Sequence, residues 1–443
     1  MRVLFAHQNF PGQYRHLLTH FAADPANEIV FLTRNAHAPF PGIKKIVYQT
    51  RREPATGTHH YVRPLERAVL YGQEVARVAL GLKEKGFVPD IMIGHNAWGE
   101  TLYLKDVYPD APLLSYFEFF YSGHGLDVDF DPEFPTTIDT RMRVRTLNAI
   151  NLFGLHVADR GQTATEWQRG TYPARYRDMI SVVHEGVDTE VVKPDPKAVL
   201  KLNGGLSLSQ SDEVVTYISR KLEPYRGFHI FMRALPEILK RRPKAHAVIV
   251  GADGKGYGHD YPKGGTWRQA MLDEVDGKLD ASRVHFLGQV RYETYLKVLQ
   301  VSSAHIYLTY PFVLSWSMLE AMAAGCLVIG SATPPVKEVI RDGENGLLVD
   351  FFDTEAIAEK VESALAGPSH MEPLRVSARR TIVAKYDCAS VCLPQQLQLI
   401  EGLVCGAPGQ ARLEIARSCL ASQALQTRLT AGLARDAYRM NGV

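Results

Sequence analysis

Short apolar, β-branched runs alternate with amphipathic runs of helical length along most of the chain. That is the pattern of a parallel sheet covered by helices. In the first half, strands are predicted at 2–7 (RVLFAH), 28–33 (EIVFLT), 45–50, 90–95 (DIMIGH), 112–119 (PLLSYFEF) and 180–185 (ISVVHE). Helices are predicted between them at about 13–23, 64–86, 99–106 and 139–158. The stretch 121–138, rich in Gly, Pro and Asp, follows neither period and reads as a long loop, a kind of segment that tends to be functional.

The alternation weakens over 186–212 and then resumes. Strands are predicted at 213–219, 245–251, 284–288, 304–309 and 326–330, with helices at 227–241, 266–276, 291–301 and 316–324. Lys193-Pro194-Asp195-Pro196 reads as an interdomain linker. The closing stretches 389–402 and 409–434 carry only helical pattern. The expected fold class is α/β, with two Rossmann-like, doubly wound lobes facing a central cleft. The N-terminal lobe is expected over 1–190, joined by C-terminal helices from about 386–443, and the second lobe over 191–385. Ligands of such sheets sit beyond the carboxyl ends of the strands, so each lobe is expected to hold one reactant there.

Length agrees, since 443 residues is too long for one core and suits two or three domains. Composition is that of an ordinary globular protein, 46% apolar and 22% charged. A net charge of +2 gives no field that would capture nucleic acid. No signal peptide is expected at Met1-Arg2, which leads directly into an apolar strand, and no apolar run approaches the ~18 residues of a membrane span. Residues 1–100 hold 12 Lys+Arg against 8 Asp+Glu, enough for weak peripheral contact with anionic lipid, with an ordinary solvated surface as the alternative. The expected location is cytoplasmic, with the inner face of the membrane as an option. The five cysteines (326, 388, 392, 405, 419) form no CxxC pair and read as reduced thiols.

The candidate chemistry gathers at strand ends. The first strand runs through His7 into Gln8-Asn9-Phe10-Pro11-Gly12, where a glycine would let the backbone approach an anion, although a plain tight turn explains Gly12 equally well. In the second lobe, Arg220-Lys221-Leu222-Glu223-Pro224-Tyr225-Arg226-Gly227 follows a strand and precedes a helix. Two arginines there suit a diphosphate, and a salt-bridged surface turn is the alternative. Val250-Gly251-Ala252 and Leu287-Gly288-Gln289 close two further strands at the same rim. Glu320 lies one turn inside a helix that a loop opens, where a carboxylate can accept hydrogen bonds from vicinal ribose hydroxyls; a lone helical Glu is otherwise simply solvated.

These pieces, in this order, resemble retaining glycosyltransferases of family 4, which have the GT-B fold. The resemblance spans roughly residues 1–400 and is carried by SRKLEPYRGF, VIVGADG, VHFLGQV, SWSMLEAMAAGCLVIGS and EVIRDGENGLLV. The opening HQNFPGQYRHL, GHNAWGE (94–100) and the segment around 116–135 are similar to a bacterial branch associated with surface polysaccharide synthesis. The resemblance implies that Arg220 and Arg226, with Gly12, hold the donor diphosphate, Arg226 adding bidentate capacity. It implies a nucleoside site from Gly251, Leu287, Gln289, Val290 and Glu320, and contact with the donor sugar from Phe312, Leu314, Ser315 and Trp316. Glu118, His95 and His124 are the candidates for orienting acceptor or sugar in catalysis. Two departures stand out: Phe312 occupies the place of the family's first Glu, and Glu118 that of its first-lobe His.

The resemblance implies a retaining hexosyltransferase that takes a nucleotide sugar (UDP- or GDP-hexose) as co-substrate, with no other cofactor. Its partners would be that donor and a glycan or lipid-linked acceptor, and no nucleic acid. Charge builds on the leaving diphosphate, and paired arginines would stabilise it without metal. Asp127-Val128-Asp129 has the spelling of a metal pair but stands in the first-lobe loop. The alternatives are a sugar-nucleotide epimerase or hydrolase of the same fold, and a degenerate, non-catalytic binding subunit.

Overall fold

The computed structural model describes residues 1–36 and 39–406 and divides the chain into two compact units. The first comprises Met1–Glu185 and the described residues from Ala389 onward; the second is Gly186–Cys388. The expected helix at 409–434, Cys419 and the remainder of the expected C-terminal helical segment lie outside the described residues. No described helix is long and apolar enough to cross a membrane.

The first unit is built on β1 (Arg2–Ala6), β2 (Glu28–Thr33), β3 (Lys44–Val47), β4 (Ile91–His95), β5 (Leu113–Tyr116), β6 (Arg160–Thr163) and β7 (Ile180–Val182). They form one parallel sheet in the order β3-β2-β1-β4-β5-β6-β7. Strands buried on both faces need continuous apolar runs, and Val3, Leu4, Phe5 and Ala6 are fully buried. Alternate side chains feed two cores: Leu4, Val30 and Met92 pack with the helix Arg63–Glu84, while Val3, Phe5 and Ile93 pack with the helix Arg15–Ala22. Ile400 and Val404 of the helix Leu393–Gly406 complete the second core. The helix expected at 99–106 is mostly absent, since only Leu104–Val107 is helical. Gly99 breaks it: its φ is +99°, and a Cβ there would lie 2.3 Å from the Ala68 carbonyl oxygen.

In the second unit, β8 (Val199–Lys201) and β9 (Ser207–Ser209) make an antiparallel pair. The main sheet comprises β10 (Val214–Lys221), β11 (His246–Ala252), β12 (Val284–Gly288), β13 (Ala304–Tyr307), β14 (Val328–Ser331) and β15 (Leu347–Val349), ordered β12-β11-β10-β13-β14-β15 and parallel throughout. The Lys193–Pro196 segment is no free linker. Gln300 and Gln210 donate to the carbonyls of Lys193 and Asp195, and Pro194 packs where a Gly325 side chain would project. The chain instead crosses between units at Glu185–Gly186 and Cys388–Ala389.

Both sheets reverse strand order beside their first strand, between β1 and β4 and between β10 and β13. Ligands of doubly wound sheets bind at such switch points, beyond the strands' carboxyl ends.

Candidate functional site

In the second unit, β10 ends in the turn Pro224–Arg226 and the helix Phe228–Arg241 follows. Gly227 joins turn to helix at φ +69°, and a Cβ there would lie 2.3 Å from Leu308 Cβ. Only glycine satisfies both demands. Arg220 is exposed and its guanidinium lies over the Tyr257 ring, 5.1 Å from the centroid. Arg226 approaches the same ring at 5.3 Å but is buried. Its Nη1 donates to Thr309 Oγ1 and the Val313 carbonyl, both at 2.9 Å, and to Tyr307 Oη at 3.4 Å.

The segment after β13 folds over the arginine and engages Nη1, so Arg226 bridges the switch point from beneath while Arg220 stands outside. Burial works against the Arg226 charge, but Tyr307, Tyr257 and Glu223 outweigh it and hold the guanidinium protonated, above its usual range. Glu223 is itself buried and accepts the Tyr257 and Gly258 amides at 3.0 and 2.8 Å, which fastens the loop carrying Tyr257. Sequence reasoning missed Tyr257, because its loop follows neither period.

Of the expected donor-sugar residues, Phe312 and Leu314 are buried and Ser315 is partly so. The buried Phe312 packs its ring against Tyr257 and Tyr225, with centroids 4.9 and 5.6 Å apart. Leu314 belongs to the unit's core. The Ser315 amide already donates to Tyr307 Oη at 2.8 Å, and the Ser315 hydroxyl caps the helix Trp316–Ala323 by accepting the Ser317 amide. Trp316 is 47% exposed, the open member of this set.

Of the expected nucleoside residues, Glu320 is held by two tyrosines, and Leu287 and Val290 are partly buried. Leu287 and Val290 pack on the core cluster that contains Tyr292, Tyr295 and Leu319. Tyr292 and Tyr295 donate their hydroxyls to Glu320 Oε1 and Oε2 at 2.7 and 2.6 Å. Gln289 is exposed. Gly251 is a packing glycine, since a Cβ there would lie 2.6 Å from Leu222 Cδ2 and 2.8 Å from the Ser219 carbonyl oxygen.

In the first unit, β1 leads into His7 and β4 ends at His95, the two strands flanking the switch point. Both imidazoles are buried and cross at 89°, with centroids 4.9 Å apart. Burial lowers His7 to about 4, against the opposing effect of Asn9 and Gln13, and it also lowers His95 well below its usual range, with His7 adding to the effect. Each Nδ1 accepts an amide two residues ahead, Asn9 at 2.7 Å and Ala97 at 3.2 Å. A neutral imidazole accepting at Nδ1 carries its hydrogen on Nε2. His95 Nε2 stands 3.8 Å from Glu118 Oε2, so the pair is a neutral donor beside a carboxylate.

Of the three catalytic candidates, the structure joins His95 and Glu118. His124 instead lies exposed in the loop, with Nδ1 4.0 Å from Asp129. Asp129 is ion-paired with Arg141, which holds its carboxyl below the usual range together with the Thr136 amide. Gly12 (φ +56°) opens a short turn over the His7 ring, and a Cβ there would lie 3.5 Å from it. His7 itself was missed; a histidine closing an otherwise apolar strand was the available signal.

Comparison with known proteins places this geometry. Residues 25–192 match the family described as glycosyl transferase family 4 group, and residues 206–381 match glycosyl transferases group 1. The D-inositol 3-phosphate glycosyltransferase of Rhodococcus jostii (strain RHA1) is 28% identical over 205 residues, 46% of this chain and 43% of that protein. The protein of the same description from Mycobacterium sp. (strain KMS) is 28% identical over 243 residues, 54% of this chain and 48% of its own. The alignments thus span about half the length of these curated relatives. Among solved structures, sucrose-phosphate synthase from Thermosynechococcus elongatus superposes with a TM-score of 0.67 at 18% identity, covering 91% of this chain and 99% of that one. HepE from Anabaena, solved in complex with UDP and glucose, gives 0.62 at 18% identity, with 90% and 99% covered. At such identities the likeness establishes the fold, which is GT-B. With the two family matches covering well over half its length between them, the chain belongs to the glycosyltransferases, a family 4 domain followed by a group 1 domain.

Proposed function

We propose that this protein transfers a hexosyl group from a nucleoside diphosphate sugar to a hydroxyl of a glycan or lipid-linked acceptor, with retention of configuration and without a metal. The observation that carries the reading is the convergence of Arg220 and Arg226 on the Tyr257 ring at the carboxyl end of β10, in the same unit as Glu320. Breaking a sugar–phosphate bond builds negative charge on the leaving diphosphate and oxocarbenium character on the sugar. Arg220 meets that charge directly. Arg226, buried and held protonated, adds a fixed positive potential that needs no reorganisation during the step.

In a same-face reaction the acceptor hydroxyl approaches from the side the diphosphate leaves, and the leaving phosphate takes its proton. His95 is a poor base for that proton, because its Nε2 already carries hydrogen. It suits donating a hydrogen bond to a sugar oxygen, while Glu118 is the partner suited to orient an acceptor hydroxyl. A surface-polysaccharide acceptor fits this assignment, as does action at the inner face of the membrane.

The test is incubation with a panel of UDP-, GDP- and ADP-sugars, read as nucleotide release and as protection from thermal unfolding. UDP-glucose is the first donor to try, since HepE has been solved with it. Release that depends on an added hydroxylated acceptor supports transfer. Acceptor-independent conversion of the donor would point to an epimerase or hydrolase, and indifference to every sugar nucleotide would sink the reading.

A further inference from the structure

Glu320 does not stand alone on its helix. Tyr292 and Tyr295 lie three residues apart on the helix Tyr292–Gln300, so both rings share a face, with centroids 5.5 Å apart and planes inclined at 31°. Tyr295 is fully buried and Tyr292 nearly so, whereas Glu320 is partly exposed. The carboxylate thus sits at the boundary of the core, with one phenol hydroxyl on each oxygen behind it, at 2.7 and 2.6 Å.

Two chemical consequences follow. A hydroxyl donating to each oxygen requires an acceptor on both, which a carboxylate supplies and a carboxamide does not. One tyrosine on each oxygen fixes the plane of the carboxylate. A glutamate also has three side-chain torsions, and freezing them when ligand binds weakens affinity. Here the tyrosines freeze them when the protein folds.

We propose that Tyr292 and Tyr295 are positioning residues that pre-set Glu320 to read the vicinal diol of a ribose, so that they set the discrimination between ribo- and 2′-deoxyribonucleotides. The inference rests on the reading of a nucleotide-sugar donor given above and goes beyond it, in assigning sugar selectivity of the nucleoside to two residues that need not touch the ligand.

The experiment measures the affinities of UDP and 2′-deoxy-UDP for the full chain, in the wild type, Tyr292→Phe, Tyr295→Phe, the double variant, and each of these combined with Glu320→Gln. The wild type should favour UDP by roughly tenfold or more. The double Phe variant should lose at least about fivefold of that ratio through weaker UDP binding, with 2′-deoxy-UDP affinity unchanged. In the Glu320→Gln background the ratio should already be near one, and the Phe substitutions should not move it further, which is the coupling expected of residues acting through Glu320.

An unchanged ratio in the double variant would overturn the proposal. So would an equal loss of both ligands, which marks a merely structural role. Should the Phe variants fail to fold, a wild type and Glu320→Gln that bind the two nucleotides with the same ratio would overturn it as well. Should the wild type bind neither, the same pair of ribo and 2′-deoxy diphosphates is run with guanine and adenine; binding of none overturns the donor reading and this inference with it, whereas nucleotide binding without ribose preference removes this inference alone.

Discussion

Arg220 and Arg226 meet on a single aromatic ring, their guanidinium carbons 5.1 and 5.3 Å from the centroid of Tyr257, one cation exposed and the other buried. This pairing divides the labour between a reachable charge and a structural one. The two positions should therefore answer differently to the same substitution. Arg220→Ala should change folding stability by no more than about 0.5 kcal/mol, as surface truncations do. Arg226→Ala removes the donor to Thr309, Val313 and Tyr307 and should lower stability by about 2–4 kcal/mol. Urea unfolding of both variants checks the contrast.

The hold of Glu223 on the Tyr257 loop is also testable. In Glu223→Ala the Tyr257 and Gly258 amides lose their acceptor, an expected loss of roughly 1–3 kcal/mol. Amide hydrogen exchange at those two positions should accelerate markedly, while exchange in the β10 core should change little. Unaltered protection at 257 and 258 would mean that the loop is held by something else.

Much of this was legible in advance. Alternating apolar runs located most strands of both sheets, because parallel strands buried on two faces must be apolar throughout. Strand β6 escaped, since Arg160-Gly161-Gln162-Thr163 has no apolar run; its place between β5 and β7 rests on backbone pairing, and Gly161 makes room for Phe117. The β8–β9 hairpin escaped because its strands are three residues each, in a Gly- and Ser-rich stretch. At the site, Arg220 and Glu320 were visible from spacing. Tyr257, Tyr292 and Tyr295 were not: tertiary packing brings them to those charges, and a tyrosine in an apolar helix face reads simply as core.

The glycine at 227 provides a steric prediction with its own control. Gly227→Ala combines a left-handed backbone with a 2.3 Å approach to Leu308 Cβ and should lower stability by about 2–4 kcal/mol. Gly288→Ala has φ +64° but nothing within 4 Å, and should lower it by only about 1 kcal/mol. Denaturation midpoints of the two variants should separate accordingly.

A pH signature belongs to Glu100. Burial raises its carboxyl from 4.5 to about 7, although the Tyr48 hydroxyl that donates to it works the other way. Because the folded state keeps this proton more tightly than the unfolded chain, the group stabilises the fold below pH 4.5. That contribution is lost as pH rises through about 7. Glu100→Gln removes the dependence. Relative to the wild type it should gain stability across that window, by up to about 3 kcal/mol. His7, lowered to about 4, acts in the opposite sense in both proteins: its contribution is present above 6.5 and lost as pH falls through about 4. Thermal midpoints of the two proteins between pH 4.5 and 7 test the difference.

The most direct measurement is calorimetric titration of UDP and of uridine into the wild type and Arg220→Ala, the variant expected to fold normally. If the exposed guanidinium receives the diphosphate, the variant should bind UDP at least about tenfold more weakly and uridine as before. An Arg220→Ala protein that binds UDP as tightly as the wild type would contradict the account.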